Sequence, residues 1–154
     1  MNYVIDNMRP FRVIGYARYF DSMHCQSLIP FFWQEVFNPK DKLQRSLNIG
    51  EFGVCIDDPD RIKYVIGGFY KGSEVPEGME VVDIPGGAWA KFECRGPVPE
   101  AIQKMTDYIY GEWLPYNTEY ELASEYMIEW YAPGITNTKD YHSEVWINVK
   151  EKGN

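Results

Sequence analysis

Residues 79–94 read MEVVDIPGGAWAKFEC, in which two short strand patterns flank the break Pro85-Gly86-Gly87. Proline and consecutive glycines between two such patterns are typical of a turn. The segments Met79 to Asp83 and Ala88 to Cys94 therefore read as a strand pair.

A helix pattern follows this strand pair, from about Pro99 to Trp113. Its apolar residues recur at steps of three and four, at Ile102, Met105, Ile109 and Trp113. Pro99 suits the first position of a helix, and Leu114-Pro115 closes it. Two further strands are predicted around Tyr126 to Tyr131 and Glu144 to Val149.

The first half of the chain shows the same order of elements. Phe11 to Phe20 reads as a strand, and one helix face follows, formed by Ile29, Phe32, Trp33, Val36 and Phe37. Pro30 fits the first helical turn and Asn38-Pro39 ends the helix. A strand pair at Glu51 to Asp57 and Ile62 to Tyr70 is joined around Asp58-Pro59-Asp60.

Strand, helix, strand, strand thus occurs twice, in repeats at about 8–72 and 78–150. We predict an α+β fold with duplicated strand-helix-strand-strand (SHS2-like) units, an antiparallel sheet and two main helices that leave a central groove. Ligands commonly bind in a cleft of this kind. With 154 residues and 45% hydrophobic content, we expect residues 1–154 to form a single domain.

The net charge and the lack of long apolar segments narrow the classes of partner and the cellular location that we expect. A net charge of -8 gives no long-range attraction to phosphate backbones or anionic lipid, so we expect no direct nucleic acid binding and no membrane association. No apolar run is long enough to span a bilayer and no secretion signal opens the chain, so we expect a cytoplasmic protein. Three cysteines give no disulfide framework and read as small core residues.

Two acids stand in aromatic strand patterns. Alternation places Glu144 on one strand face with Trp146, and Glu129 on one face with Met127 and Tyr131. An ionised acid without a partner in a poorly hydrated place is costly, so each reads as either a ligand-site acid or a solvated or salt-bridged surface acid. Both are candidates for ligand binding, and for catalysis if the chain is an enzyme.

Aromatic rings supply the remaining candidates for ligand contact. They are Trp146, Tyr131, Trp89, Tyr16, Trp33 and Trp113. Trp33 and Trp113 lie on the apolar helix faces and fit a core role as well as a ligand role. Tyr16 holds a place in the first half that roughly matches Trp89 in the second.

Four ordered segments carry a family resemblance. The run IPGGAWAKFECRGP at 84–97 resembles a proline-glycine-glycine segment of the GyrI-like small-molecule-binding domain, the effector-binding domain of AraC-type and MerR-type regulators. The segments IYGEWLP at 109–115, IEWY at 128–131 and SEVWINV at 143–149 are similar to its helix end, a central strand and its closing strand. Asn148 departs from the family's usual proline, and Trp89 and Trp146 from its frequent tyrosine.

The resemblance implies a domain that binds drugs, organic cations and other hydrophobic effectors between aromatic rings and a central glutamate. It predicts a hydrophobic or cationic small molecule as partner for this chain, without a cofactor. Regulators of the family carry a separate DNA-binding domain, for which 154 residues leave no room, so a stand-alone form is expected.

Two alternatives stay open beside small-molecule binding. One is hydrolysis of strained electrophiles such as cyclopropane-containing genotoxins by a pocket glutamate, which the resemblance implies because some stand-alone members of the family perform it. The other is a gyrase-inhibitor type of contact with a protein partner, and a homodimer is also possible. Metal chemistry has no support, because His24 and His142 are the only histidines and lack metal-site spacing.

Overall fold

The structure, a computed structural model, describes residues 2–38 and 40–153. This part of the chain contains eight strands and three α-helices, and a π-helical turn at Ile109–Trp113 extends the last helix. The elements are β1 (Tyr3–Met8), β2 (Phe11–Asp21), α1 (Cys25–Val36), α2 (Lys42–Ser46), β3 (Phe52–Asp58), β4 (Arg61–Phe69), β5 (Glu80–Ile84), β6 (Gly87–Arg95), α3 (Glu100–Tyr108), β7 (Tyr120–Tyr131) and β8 (His142–Glu151).

All eight strands form one antiparallel sheet in the order β1-β6-β8-β7-β3-β4-β2-β5. The predicted α+β class with an antiparallel sheet is confirmed. Read from its two edges, the order gives β1-β6-β8-β7 and β5-β2-β4-β3, which is the twofold pattern expected of two repeated units. The duplication itself stays a prediction.

The strands on either side of Pro85-Gly86 do not pair with each other, so the predicted strand pair is wrong. β5 pairs with β2, where Phe11 lies opposite Ile84, and β6 pairs with β1 and β8. The reason is β1, which no sequence pattern indicated. It occupies the edge of β6 that a hairpin would have used, and β5 takes the equivalent edge of β2.

Two short links force the sheet to curl. β1 and β2 are joined by Arg9-Pro10 alone, yet five strands lie between them in the sheet; the same holds for β5 and β6, joined by Pro85-Gly86. The two edges must therefore approach each other. The inner face of the curl is an apolar core, formed by Val13, Phe52, Val54, Val65, Val82, Ile84, Trp89, Ile128 and Trp146.

The outer face of the sheet carries α1 and α3, each over its own core. Residues of α3 and its π-helical turn pack on Phe92, Val145 and Ile147. Phe32 of α1 packs with Ile14, Tyr64 and Ile66. The two helical cores lie over different strands, and a gap between them stays open above the middle of the sheet.

The first helix begins earlier than predicted. α1 starts at Cys25, so Pro30 lies inside the helix as its sixth residue and not in its first turn. The predicted end at Asn38-Pro39 falls partly outside the described residues, since Pro39 is not among them; α1 itself ends at Val36. The short α2, which was not predicted, begins with a capping box between Asp41 and Gln44.

None of the helices in the described ranges is long and apolar enough to cross a membrane.

A substitution at Gly86 tests whether close packing between the two links stabilises the protein. A Cβ at Gly86 would lie 2.7 Å from Pro10 Cδ and 3.0 Å from Met8 O, so neither link has room for a methyl group. We expect Gly86→Ala to destabilise the protein by about 1–3 kcal/mol, measured by urea unfolding. The control is Gly111→Ala, because nothing lies within 4 Å of a Cβ there. Equal stability of Gly86→Ala and the wild type would contradict this account of the curl.

Candidate ligand-binding cavity

A cavity of about 690 Å³ opens between α1 and α3 over the centre of the sheet. Its floor is the outer face of β7, with Met127, Glu129 and Tyr131. Trp130 of β7 also lines the cavity. Helices and loops supply the rest of the lining: Gln26, Ile29, Pro30, Trp33, Gln34, Phe37, Lys40, Asn48, Ile49, Gly50, Glu51, Val98, Pro99, Ile102, Gln103, Thr106, Ala132, Pro133, Gly134, Thr136 and Tyr141.

Glu129 is the acid at the bottom of the cavity, and 8% of its surface is exposed. Its Oε1 accepts hydrogen bonds from the Tyr64 hydroxyl at 2.5 Å and the Tyr131 hydroxyl at 2.8 Å. Its Oε2 makes no hydrogen bond to the described residues, and it is not a fully enclosed atom. One oxygen is thus fixed by the protein and the other is left to the cavity.

A glycine makes this arrangement possible. Gly53 lies directly opposite Glu129 on the neighbouring strand. A Cβ at Gly53 would lie 2.1 Å from the Tyr64 hydroxyl oxygen and 2.6 Å from Glu129 Oε1. The position must lack a side chain because the tyrosine and the carboxylate meet in that space.

The carboxylate belongs to a chain of donors that begins on α1. Trp33 Nε1 donates to the Tyr64 hydroxyl at 2.8 Å, and that hydroxyl donates to Glu129. The Trp33 ring also meets the Tyr131 ring edge to face, with centroids 4.9 Å apart. The helix is therefore linked to the acid through one buried phenol, and two aromatic rings stand beside the acid.

The electrostatics of Glu129 are those of a buried acid without a counter-ion. Burial raises the pKa of Glu129, and the hydrogen bonds from Tyr64 and Tyr131 oppose that rise without cancelling it. Burial first, and then the nearby Glu129, hold the pKa of both tyrosines well above its usual value, so they stay neutral donors. Within the described ranges, no lysine, arginine or histidine forms a salt bridge with Glu129.

One end of the cavity is closed by a contact between the helices. Pro30 has no N–H, so the Gln26 carbonyl lacks its usual helical donor. Gln103 Nε2 of α3 donates to that carbonyl at 2.9 Å, and Gln26 Nε2 donates to Asp107 Oδ1 at 3.2 Å. The internal proline thus creates a free acceptor that joins α1 to α3.

A second acid, Glu51, also lines the cavity. Its Oε1 accepts from Asn48 Nδ2 at 2.8 Å and its Oε2 from Trp130 Nε1 at 3.3 Å. Lys40 also lines the cavity, and its Nζ lies 5.3 Å from the centre of the Phe37 ring.

Three of the eight residues predicted to contact ligand line this cavity: Glu129, Tyr131 and Trp33. Whether they contact a ligand stays a prediction. The other five lie elsewhere: Glu144, Trp146, Trp89, Tyr16 and Trp113 are not among the lining residues.

The placement of Glu144 and Trp146 is a correction. The valine and isoleucine face of β8 packs under α3, so alternation puts both residues on the inner face of the curl, away from the cavity. Trp146 Nε1 donates to Glu144 Oε1 at 2.7 Å, and His142 Nε2 lies 3.1 Å from Glu144 Oε2. Glu144 therefore already has partners.

The remaining three residues pack in cores. Trp89 is completely buried inside the curl, while Tyr16 packs with the core under α1 on the opposite face, so the two do not match. Trp113 meets the rings of Tyr3 and Phe92 edge to face, at centroid distances of 5.2 and 5.1 Å. Each ring is occupied by protein contacts.

Sequence reasoning missed Tyr64, Gly53 and Glu51 as site residues. Only Gly53 carries a usable signal, since a glycine inside a strand often marks a close approach. In the described parts of the chain, no group of three or more histidine, cysteine, aspartate or glutamate side chains is placed to hold a metal ion.

Several solved structures are similar to this chain. The structure of SAV2435 bound to tetraphenylphosphonium superimposes with a TM-score of 0.83 at 22% identity, covering 97% of this chain and 94% of the other. The integron cassette protein VCH_CASS2, from the mobile metagenome of Vibrio cholerae, gives 0.71 at 14% identity, with 96% and 95% covered. The C-terminal domain of EcmrR gives 0.54 at 16% identity, with 98% of each chain covered.

These likenesses show a common fold. A comparison with curated proteins gave no match. The sequence profile of the integron-associated effector binding proteins (Cass2) matches residues 5–149, which is most of the chain. The chain belongs to the family of integron-associated effector binding proteins.

Proposed function

We propose that this protein binds a hydrophobic organic cation in the cavity between α1 and α3, with Glu129 as the counter-ion. One observation carries the proposal: a buried carboxylate has one oxygen fixed by two phenols and the other left to an aromatic-lined cavity. A negative charge in such a place is costly by itself and favours a cationic ligand.

The walls suit the apolar part of such a ligand. The rings of Trp33 and Tyr131 stand next to the acid, and Ile102 and Met127 add aliphatic surface. A cation over an aromatic face gains about 0.5–2 kcal/mol, with the larger value where water is excluded. Charge and shape thus select for the same class of molecule.

The similar fold of SAV2435, which was solved with tetraphenylphosphonium, supports this ligand class and supplies a probe. The cavity volume of about 690 Å³ falls within the range of small-molecule sites. A recessed site of this size favours a small molecule over the protein-contact alternative, because a protein partner would dock on the outer surface.

The hydrolase alternative uses the same glutamate, with Oε2 as the base that activates water. It differs from binding in the fate of the ligand. Mass spectrometry of a cyclopropane-containing electrophile recovered after incubation with the protein separates the two, since binding returns the compound unchanged and hydrolysis adds one water.

Glu129→Gln tests the counter-ion directly. We expect tetraphenylphosphonium at 100 times its Kd to stabilise the wild type by about 2.7 kcal/mol, visible as a raised melting temperature. Removing the charge should weaken binding by about 2 kcal/mol or more, roughly thirtyfold, measured by titration calorimetry. Tetraphenylborate has the same shape and the opposite charge, so it should not bind.

Glu144→Gln is the matched control. It neutralises the other predicted acid, which lies outside the cavity and already accepts two hydrogen bonds. Its affinity for tetraphenylphosphonium should equal that of the wild type. The proposal fails if the wild type does not bind the cation, or if Glu129→Gln binds it as tightly as the wild type does.

The pKa of Glu129 predicts how stability depends on pH. Burial raises this pKa above the value of about 4.3 in an unfolded chain, so the native state holds the proton more tightly. The contribution of Glu129 to the free energy of unfolding is complete below the unfolded pKa and is lost as pH rises through the folded pKa. We expect the ligand-free protein to lose stability over that range.

Urea unfolding of the wild type and of Glu129→Gln, repeated from pH 4 to 8, measures this effect. The difference in unfolding free energy between the two proteins should shift in favour of the variant as pH rises. Affinity of the wild type for tetraphenylphosphonium should increase over the same range, because the cation binds the ionised acid. A difference that does not change with pH would contradict the raised pKa.

A further inference from the structure

We propose that the cavity is built for an elongated ligand with two positive groups, and that Glu51 is the counter-ion for the second. This inference rests on the proposed binding of a cation at Glu129. It adds a second acidic subsite to the same cavity, and with it a narrower class of ligand.

The backbone fixes the spacing of the two acids. Gly53 is paired with Glu129 across the strands, and Glu51 lies two residues before Gly53, where its carbonyl accepts from Tyr131 N at 2.9 Å. Two residues of strand span about 7 Å. Along the strand direction, the backbone of Glu51 and that of Glu129 are therefore about 7 Å apart on the cavity floor.

A single tyrosine bridges this interval. Tyr131 donates its backbone N–H to the Glu51 carbonyl and its hydroxyl to Glu129 Oε1. Its side chain thus runs from one acidic residue toward the other and lines the cavity between them. An aromatic ring in that place suits the apolar linker of a molecule that is charged at both ends.

Glu51 is held in place without being neutralised. Both of its hydrogen-bond donors, Asn48 and Trp130, are uncharged. No salt bridge to Glu51 forms among residues 2–38 and 40–153, as is also true of Glu129. Lys40, the lysine of the lining, is directed at the Phe37 ring.

The loop that orients Glu51 is itself unusual. Asn48 has a φ of 54°, and among the described residues it is the one non-glycine with a positive φ. Asparagine tolerates this left-handed conformation better than most residues, but the conformation still costs energy. Here it accompanies an amide that donates to Glu51 at 2.8 Å.

The burial of Glu129 distinguishes this pair of acids from a cluster of exposed carboxylates. It is more than nine-tenths buried, and its Oε2 has no protein partner among the described residues. A buried carboxylate and a pre-oriented, partly exposed one at a fixed spacing match a ligand with two positive groups, each near one end of an apolar linker.

Two cations with the same six-carbon chain and different numbers of positive groups test the proposed second subsite. Hexyltrimethylammonium has one charge, and hexamethonium has the same six-carbon chain with a trimethylammonium group at each end. We expect the wild type to bind hexamethonium about fivefold or more tightly than hexyltrimethylammonium, by titration calorimetry at 0.15 M salt.

Glu51→Gln should abolish that preference, whereas Glu129→Gln should weaken the binding of both ligands. Glu77→Gln is the control for overall charge, because Glu77 is an exposed acid outside the cavity. It should retain the preference. Urea unfolding of each ligand-free variant checks that the variants are folded.

The outcomes separate this inference from the proposed function. If hexyltrimethylammonium binds in a Glu129-dependent way but the preference for hexamethonium is absent, or survives Glu51→Gln, the second subsite is refuted alone. If Glu51→Asp, which keeps the charge, restores the preference, the charge and not the amide contact of Glu51 is responsible. If neither ammonium ligand binds a protein that does bind tetraphenylphosphonium, the second subsite alone is refuted; if tetraphenylphosphonium does not bind either, both proposals fail.

Discussion

Two links of two residues each determine the shape of this protein. Because Arg9-Pro10 and Pro85-Gly86 each join strands that have five other strands between them in the sheet, the sheet has to curl until its edges approach. The curl encloses one face as an apolar core and leaves the other to the helices. The helices α1 and α3 cover that outer face, each over its own core, and the space between them is the cavity.

The cavity holds a charge that the fold alone would not favour. A buried carboxylate costs free energy unless its hydrogen bonds and a counter-ion compensate. Tyr64 and Tyr131 supply hydrogen bonds to one oxygen of Glu129, and the raised pKa shows that they compensate only in part. A ligand that brings positive charge would supply the missing counter-ion. The free-energy cost of the buried Glu129 carboxylate and its proposed role in binding therefore have the same physical origin.

Local patterns in the sequence predicted the two main helices, most strands and the α+β class, because amphipathic periodicity and turn residues act over short distances. They could not show that β1 pairs with β6 of the second half and β5 with β2 of the first half. Strand pairing depends on contacts between residues that are far apart in the sequence. The alternation of β8 did place Glu144 and Trp146 opposite Val145 and Ile147. What a single strand could not show was that this opposite face is enclosed by the curl, where both side chains find partners. Tyr64 has no sequence signal, because its role depends on a glycine of the next strand.

The twofold pattern of the sheet explains why the site has one deep acid. The pattern places its axis between β7 and β3, and Glu129 and Gly53 face each other across that boundary. If both positions carried a carboxylate, two like charges would share one buried space, and one of them would have to be protonated. With glycine on one side, the space goes to the Tyr64 hydroxyl, which donates to the acid. The Gly53–Glu129 pair thus carries one carboxylate, and Tyr131 connects it to Glu51, with its hydroxyl on Glu129 and its backbone N–H on the Glu51 carbonyl.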